Sequence, residues 1–211
     1  MDTWAVIPVK PLDHAKSRLA GILTLEQRAS LVIRLFEHTL DVLCDWNILS
    51  LIMVVSASQK IWQISERYGV NVLKEPEAIN LNLSLEFARQ EIIRRGADAM
   101  LIVAADIPGL NRSSLRKIFE YTQKNNPFVV IAPDRPKKGT NVMYLSPPGI
   151  INFSYGPDSF LKHRGKASLV NADFYCVLDP LLNFDVDTPS DFKMRRSVRT
   201  LNDAMPHVDV D

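Results

Sequence analysis

Two hydrophobic rhythms alternate along the chain. Short, nearly unbroken apolar runs are separated by longer segments whose apolar residues recur at three- and four-residue steps. The runs "WAVIPV" (4–9), "LSLIMVVSA" (49–57), "VNVLKE" (70–75), "AMLIVAAD" (99–106), "FVVIAPD" (128–134), "TNVMYLS" (140–146) and "FYCVLD" (174–179) predict strands. The stepped segments predict helices over 24–44, 59–69, 83–96, 113–125, 157–165 and 190–201. Thr24 reads as an N-cap, with Gln27 completing a capping box. Gly69 and Gly96 close the helices before them. Strands that are apolar on both faces belong in a sheet covered on both sides. The alternation therefore predicts one α/β domain over residues 1–201, a mostly parallel, mixed sheet with helices on both faces. The last ten residues, 202–211, read as a loose acidic tail.

Composition adds little. The chain has 211 residues, 46% hydrophobic and 23% charged, with a net charge of +1, so no global field argues for nucleic acid or membrane. Cys44 and Cys176 each lack a nearby cysteine, which disfavours a disulfide framework or a zinc site and suits a reducing compartment. The N-terminal residues lack the pattern of a signal peptide, and no apolar run is long enough to span a bilayer. A soluble, cytoplasmic protein is expected.

Chemistry enters at the strand ends, because open α/β sheets bind ligands beyond the carboxyl ends of their strands. The first strand leads into "KPLDHAKSRLAG", where Lys10, Lys16, Ser17 and Arg18 suit a polyphosphate. A plain solvated basic loop is the competing account. Neither GxGxxG nor GxxxxGK[ST] is present, so side chains must meet the phosphate charge. Asp106 ends the most apolar strand, and Asp185 and Asp187 come after "LLNF", two residues apart. In an extended segment those two face the same side. Carboxylates together with phosphates are what Mg²⁺ takes as ligands, so the three are candidate metal ligands. A turn followed by a capped helix would also explain "DVDTPSDF". Gly139 and Gly156 allow close backbone approach, and Ser159 falls in the first turn of a short helix whose N-terminus attracts anions. His163, without a visible partner, reads as structural or phosphate-contacting rather than as a general base.

Taken together, "VIPVKPLDHAKSRLAG", "LIVAADIPGL", "KKGTN", "YGPDSFLKH" and "DVDTPSDF" resemble, in that order, the guanylyltransferases of deazaflavin coenzyme F-420 biosynthesis. The resemblance spans residues 4 to about 192. It implies a GT-A-like nucleotidyltransferase that transfers GMP from GTP to a phosphorylated three-carbon acid and releases pyrophosphate. The acid would be 2-phospho-L-lactate or phosphoenolpyruvate, or 3-phosphoglycerate in some members. It implies that Thr140, Gly156 and Ser159 hold the acid, and that Asp106 with Asp185 or Asp187 binds the metal. Lys10, Lys16 and Arg18 would then hold the leaving phosphates, and a downstream transferase would take the product. Asn82 matches the family's "GLNxAL" motif as a nucleotide contact, while Asn80 replaces its glycine. Which acid is used, strictness for guanine and a homodimer stay open, with Trp46 and Trp62 as exposed-looking candidates for an interface. The rivals are a sugar-phosphate or molybdopterin nucleotidyltransferase, which would carry a glycine-rich first loop, and a non-catalytic GTP-binding domain.

Overall fold

The structure is a computed structural model that describes residues 1–75, 80–121 and 126–194. Among the described residues, seven strands form one sheet: β1 (Thr3–Pro8), β2 (Leu51–Ser56), β3 (Asn71–Lys74), β4 (Ala99–Val103), β5 (Phe128–Pro133), β6 (Thr140–Ser146) and β7 (Asp173–Cys176). Their order is β3-β2-β1-β4-β6-β5-β7. Pairing is parallel except where β6 runs against β4 and β5. The link from β5 to β6 is too short for a crossover, so those strands form a hairpin and β6 is reversed.

Among the described residues, six α-helices accompany the sheet: α1 (Leu25–Cys44), α2 (Gln59–Arg67), α3 (Leu81–Arg94), α4 (Arg112–Phe119), α5 (Ser159–Leu169) and α6 (Pro189–Met194). Alternate strand residues feed two cores. Ala5, Ile7, Leu101, Val103 and Val130 pack with Phe36 and Leu40 of α1 and with Leu115 of α4. Val6, Met53, Met100, Ile102 and Val129 pack with Leu85, Ala88 and Ile92 of α3 and with Phe160 of α5. Both faces of the sheet are thus covered, as the two-sided apolar runs require. Among the described residues, no helix is long and apolar enough to cross a membrane.

Several sequence expectations need correction. β4 stops at Val103, so Asp106 lies in the following turn. No strand runs directly into Asp185 and Asp187; "LLNF" begins in a turn, and Phe184 and the two acids lie in an irregular segment. α3 starts at Leu81 rather than 83, because Asn80 caps it by accepting from the Leu83 amide at 3.1 Å. α5 covers Ser159–Leu169, later and longer than expected. Trp46 is 6% exposed and packs edge-on against Phe119; it is core, not interface. Trp62 is half-buried and donates to the Ser56 carbonyl. The expected helix over 190–201 is described only as far as Met194, and the tail 202–211 lies outside the described residues.

Candidate active site

β1 and β4 are neighbours, yet the chain leaves β1 toward β2 and β3 while β4 adjoins β6 on the other side. Connections that part in this way leave a crevice at the carboxyl ends of the strands. A cavity of about 430 Å³ opens there. Its lining includes Val9 and Lys10 after β1, Asp106 after β4, and Thr140 and Asn141 at the start of β6. β6 contributes its first residues because it is antiparallel: its amino end meets the carboxyl end of β4.

The basic loop is built around Lys16. Its backbone is left-handed (φ 49°), a conformation that costs a non-glycine residue roughly 1–2 kcal/mol. Buried Ala15 and Leu19 hold the loop on either side, and Arg28 donates to the Ala15 carbonyl at 2.9 Å. The Lys16 ammonium donates to Asp106 Oδ2 at 2.5 Å and to Asp187 Oδ1 at 2.7 Å. Lys10, Ser17 and Arg18 line the same cavity and are exposed. Arg18 stands 3.7 Å from Asp187, with 74% of its side chain exposed.

The acidic segment is held by neighbours. Asp179, 3% exposed, accepts from the Leu181 amide at 2.8 Å and from Lys117 Nζ at 2.6 Å. Asn141 donates to the Leu182 carbonyl at 3.0 Å and reaches Asp185 Oδ1 at 3.5 Å. The Val186 amide donates to the Asp106 carbonyl at 3.3 Å. Gly109 lies against Leu181, where a Cβ would meet its atoms at 3.0 Å. These ties bring one carboxylate oxygen each of Asp106, Asp185 and Asp187 within 4.8 Å of one another.

Three carboxylates so close repel one another, and Lys16 answers only two of them. Burial, then the charges of Asp106 and Asp187, push the Asp185 carboxyl up to about 7 against the pull of Lys16. For Lys16, burial is the largest influence and favours the neutral form, but Asp106 and Asp187 outweigh it and hold the ammonium above its usual pKa. Burial likewise opposes the Asp187 carboxylate, but Lys16, then Arg18 and Lys10, hold its pKa below the usual carboxylate value. An all-oxygen set with one member lacking a counter-charge fits a hard divalent cation.

On the β6 side, Thr140 Oγ1 lies 3.1 Å from Ser159 Oγ and 3.2 Å from His163 Nδ1. The Ser154 amide donates to His163 Nε2 at 2.8 Å. That bond leaves the ring proton of a neutral imidazole on Nδ1, from which it is donated to Thr140. Burial, then Lys166 and Lys162, lower the pKa of His163 to about 4, so the ring is neutral at pH 7. Gly156 (φ 117°) accepts the Ser159 amide on its carbonyl at 3.1 Å, so Thr140, Ser159 and Gly156 are linked. Thr140 faces the cavity, with Ser159, 1% exposed, behind it. A Cβ at Gly139 would lie 2.8 Å from Asp134 Oδ2, so a larger residue there would displace the Asp134 side chain.

Asn82, expected as a nucleotide contact, is hydrogen-bonded to the backbone of Tyr155. Its amide donates to the Tyr155 carbonyl at 3.1 Å and accepts the Tyr155 amide at 2.7 Å, pinning α3 to the loop before α5. From α3, it is Leu81 and Ser84 that line the cavity. Sequence reasoning also missed Glu75, Asn141 and Tyr155, all of which line it. The buried Tyr155 Oη has no hydrogen-bond partner among the described residues. Glu75 was detectable, since the predicted strand "VNVLKE" ends in an acid, as the one that ends at Asp106 does.

The chain is similar to known proteins over nearly its whole described length. Residues 3–194 match the family model described as "Guanylyl transferase CofC like". A phosphoenolpyruvate guanylyltransferase of Sphaerobacter thermophilus is 34% identical over 193 residues, covering 92% of this chain and 92% of that protein. A 2-phospho-L-lactate guanylyltransferase of Methanocaldococcus infernus is 30% identical over 186 residues, covering 88% and 81%. A solved nucleotidyl transferase from Methanothermobacter superposes with a TM-score of 0.64 at 17% identity, over 96% of this chain and 99% of that one; it is similar in fold.

Proposed function

The chain belongs to the CofC-like guanylyl transferase family, and from that membership we propose that it transfers GMP from GTP to a phosphorylated three-carbon acid. The acid is 2-phospho-L-lactate or phosphoenolpyruvate, the acceptors named for its relatives, and the setting is coenzyme F-420 biosynthesis. The single observation that carries the reading is the convergence of Lys16 with Asp106, Asp185 and Asp187 at the switch point of the sheet. A guanylylated product of this kind is consumed by a downstream transferase.

In the reaction, a phosphate oxygen of the acid bonds to the α-phosphorus of GTP. The bond from that phosphorus to the bridging oxygen breaks, and pyrophosphate leaves with the electron pair. The acceptor oxygen is already anionic at pH 7, so no general base is needed. The obstacle is repulsion between two anions. Asp106, Asp185 and Asp187 would hold Mg²⁺, which supplies charge neutralisation and alignment. Lys10, Lys16 and Arg18 hold the β- and γ-phosphates and stabilise the departing charge. Thr140 would orient the acid through its hydroxyl, with Ser159 behind it and Gly156 holding the Ser159 amide. Positioning and electrostatics then carry the rate.

The experiment is pyrophosphate release with GTP and Mg²⁺, with each of 2-phospho-L-lactate, phosphoenolpyruvate and 3-phosphoglycerate as acceptor. Release dependent on one of them is expected, and Asp106→Asn should reduce it by a factor of about a hundred or more with the fold intact. No release with any acceptor, or a near-wild-type rate in that variant, overturns the reading.

A further inference from the structure

The cavity reaches well beyond the phosphate end. β3 ends at Lys74, but the Glu75 amide still donates to the Ser56 carbonyl at 3.0 Å, so Glu75 is held in line with the sheet. Its side chain is fixed as well, because Ser84, 5% exposed, donates from Oγ to Glu75 Oε1 at 2.6 Å. β3 and β4 are three strand spacings apart, so Glu75 stands about 14 Å along the sheet from the Asp106 side. Glu75 is outside the metal-competent group of carboxylates. Between the two ends the lining is apolar, with Pro8, Val9, Val55 and Leu81. An apolar slot that ends in an oriented carboxylate is suited to a flat heterocycle read along one edge.

The carboxylate selects among bases. An ionised carboxylate only accepts hydrogen bonds. Guanine offers two adjacent donors on its Watson–Crick edge, the ring N1–H and the 2-amino group. Adenine turns a bare N1 lone pair toward the same place, and cytosine offers one donor beside an acceptor. We propose that Glu75, oriented by Ser84, is the residue that selects guanine, by accepting from N1–H and from the 2-amino group. The proposal rests on the guanylyl-transfer reading and adds the source of its base preference.

The test is calorimetric titration of the full chain, with Mg²⁺ present, using GTP, inosine triphosphate (which lacks the 2-amino group), 2′-deoxyGTP and ATP. Wild-type protein should bind GTP at least about tenfold more tightly than inosine triphosphate. Glu75→Gln should lose roughly ten- to hundredfold in GTP affinity, as expected for a hydrogen bond to a charged group, and should nearly equalise the two. The ratio of 2′-deoxyGTP to GTP should stay unchanged. Ser84→Ala keeps the charge but frees the carboxylate, so it should shift the same ratio less, and it carries the test if Glu75→Gln fails to fold. A variant that preserves the preference for GTP over inosine triphosphate, or one that changes the deoxy ratio instead, overturns the assignment; the latter points to the ribose. If wild-type protein transfers GMP while discrimination survives the substitution, this inference alone fails. If it does not favour GTP at all, the guanylyl-transfer reading fails with it.

Discussion

At the scale of single residues, Lys16 does two jobs at once. Its ammonium cancels charge between Asp106 and Asp187, and its loop faces the place proposed for the phosphates. Lys16→Ala should therefore do more than weaken GTP handling. It leaves three mutually repelling carboxylates without their nearest cation, so the melting temperature at pH 7 should fall, and Mg²⁺ should restore more of it than in the wild type. Thermal melts with and without Mg²⁺ measure this; equal metal effects in the two proteins would count against a cation site. The acids and the lysine were legible in the sequence because charge at a loop after a strand is conspicuous. His163 was legible only as lacking a general-base partner. Its contacts, the Ser154 amide and Thr140, involve a backbone group and a residue 23 positions away, and neither announces itself in a string.

At the scale of elements, the segment 179–187 owes its shape to anchoring rather than to secondary structure. Asp179 gathers the amides of Leu181 and Leu182, and Ser114 and Lys117 of α4. Asp179→Ala removes that knot without touching the cavity. It should cost about 1–3 kcal/mol in denaturant unfolding, for the donors left without an acceptor, and should lower turnover by loosening Asp185 and Asp187. Unchanged turnover in a destabilised variant would separate anchoring from catalysis. The sequence did not reveal this element: an apolar "LLNF" has the look of a strand, and only the tertiary partners of Asp179 and Asn141 make it a turn. The strands with two apolar faces were read correctly for the opposite reason, since burial on both sides leaves a signature that no partner has to supply.

At the scale of the whole molecule, two buried groups pull acid stability in opposite directions. His163 has a folded pKa of about 4 against a reference of 6.5, so its contribution is full above that reference and is lost as pH falls toward 4. Asp185 has a folded pKa of about 7 against 3.8, so its charge destabilises the native state above that window and the penalty fades on acidification. Asp185→Asn removes the second effect. In chelator it should be more stable than wild type at pH 8, and should lose on the order of 2 kcal/mol between pH 7 and 5 while wild type stays nearly level. Parallel denaturant titrations at the three pH values check the signs, and equal slopes would refute the pairing. The overall architecture was predictable because alternating elements constrain topology strongly. The reversed β6, which brings Thr140 and Asn141 to the cavity, is a consequence of the short turn after β5.

Lys16 and Asp187 are 171 positions apart, so the bond between them spans most of the polypeptide. A ribosome releases those residues in order, and the carboxylates at 185 and 187 emerge long after the lysine. A nascent chain can therefore pair its early strands while the cavity still lacks its acidic wall, and Lys16 meets its carboxylate partner at 187 only once that late stretch has cleared the exit tunnel.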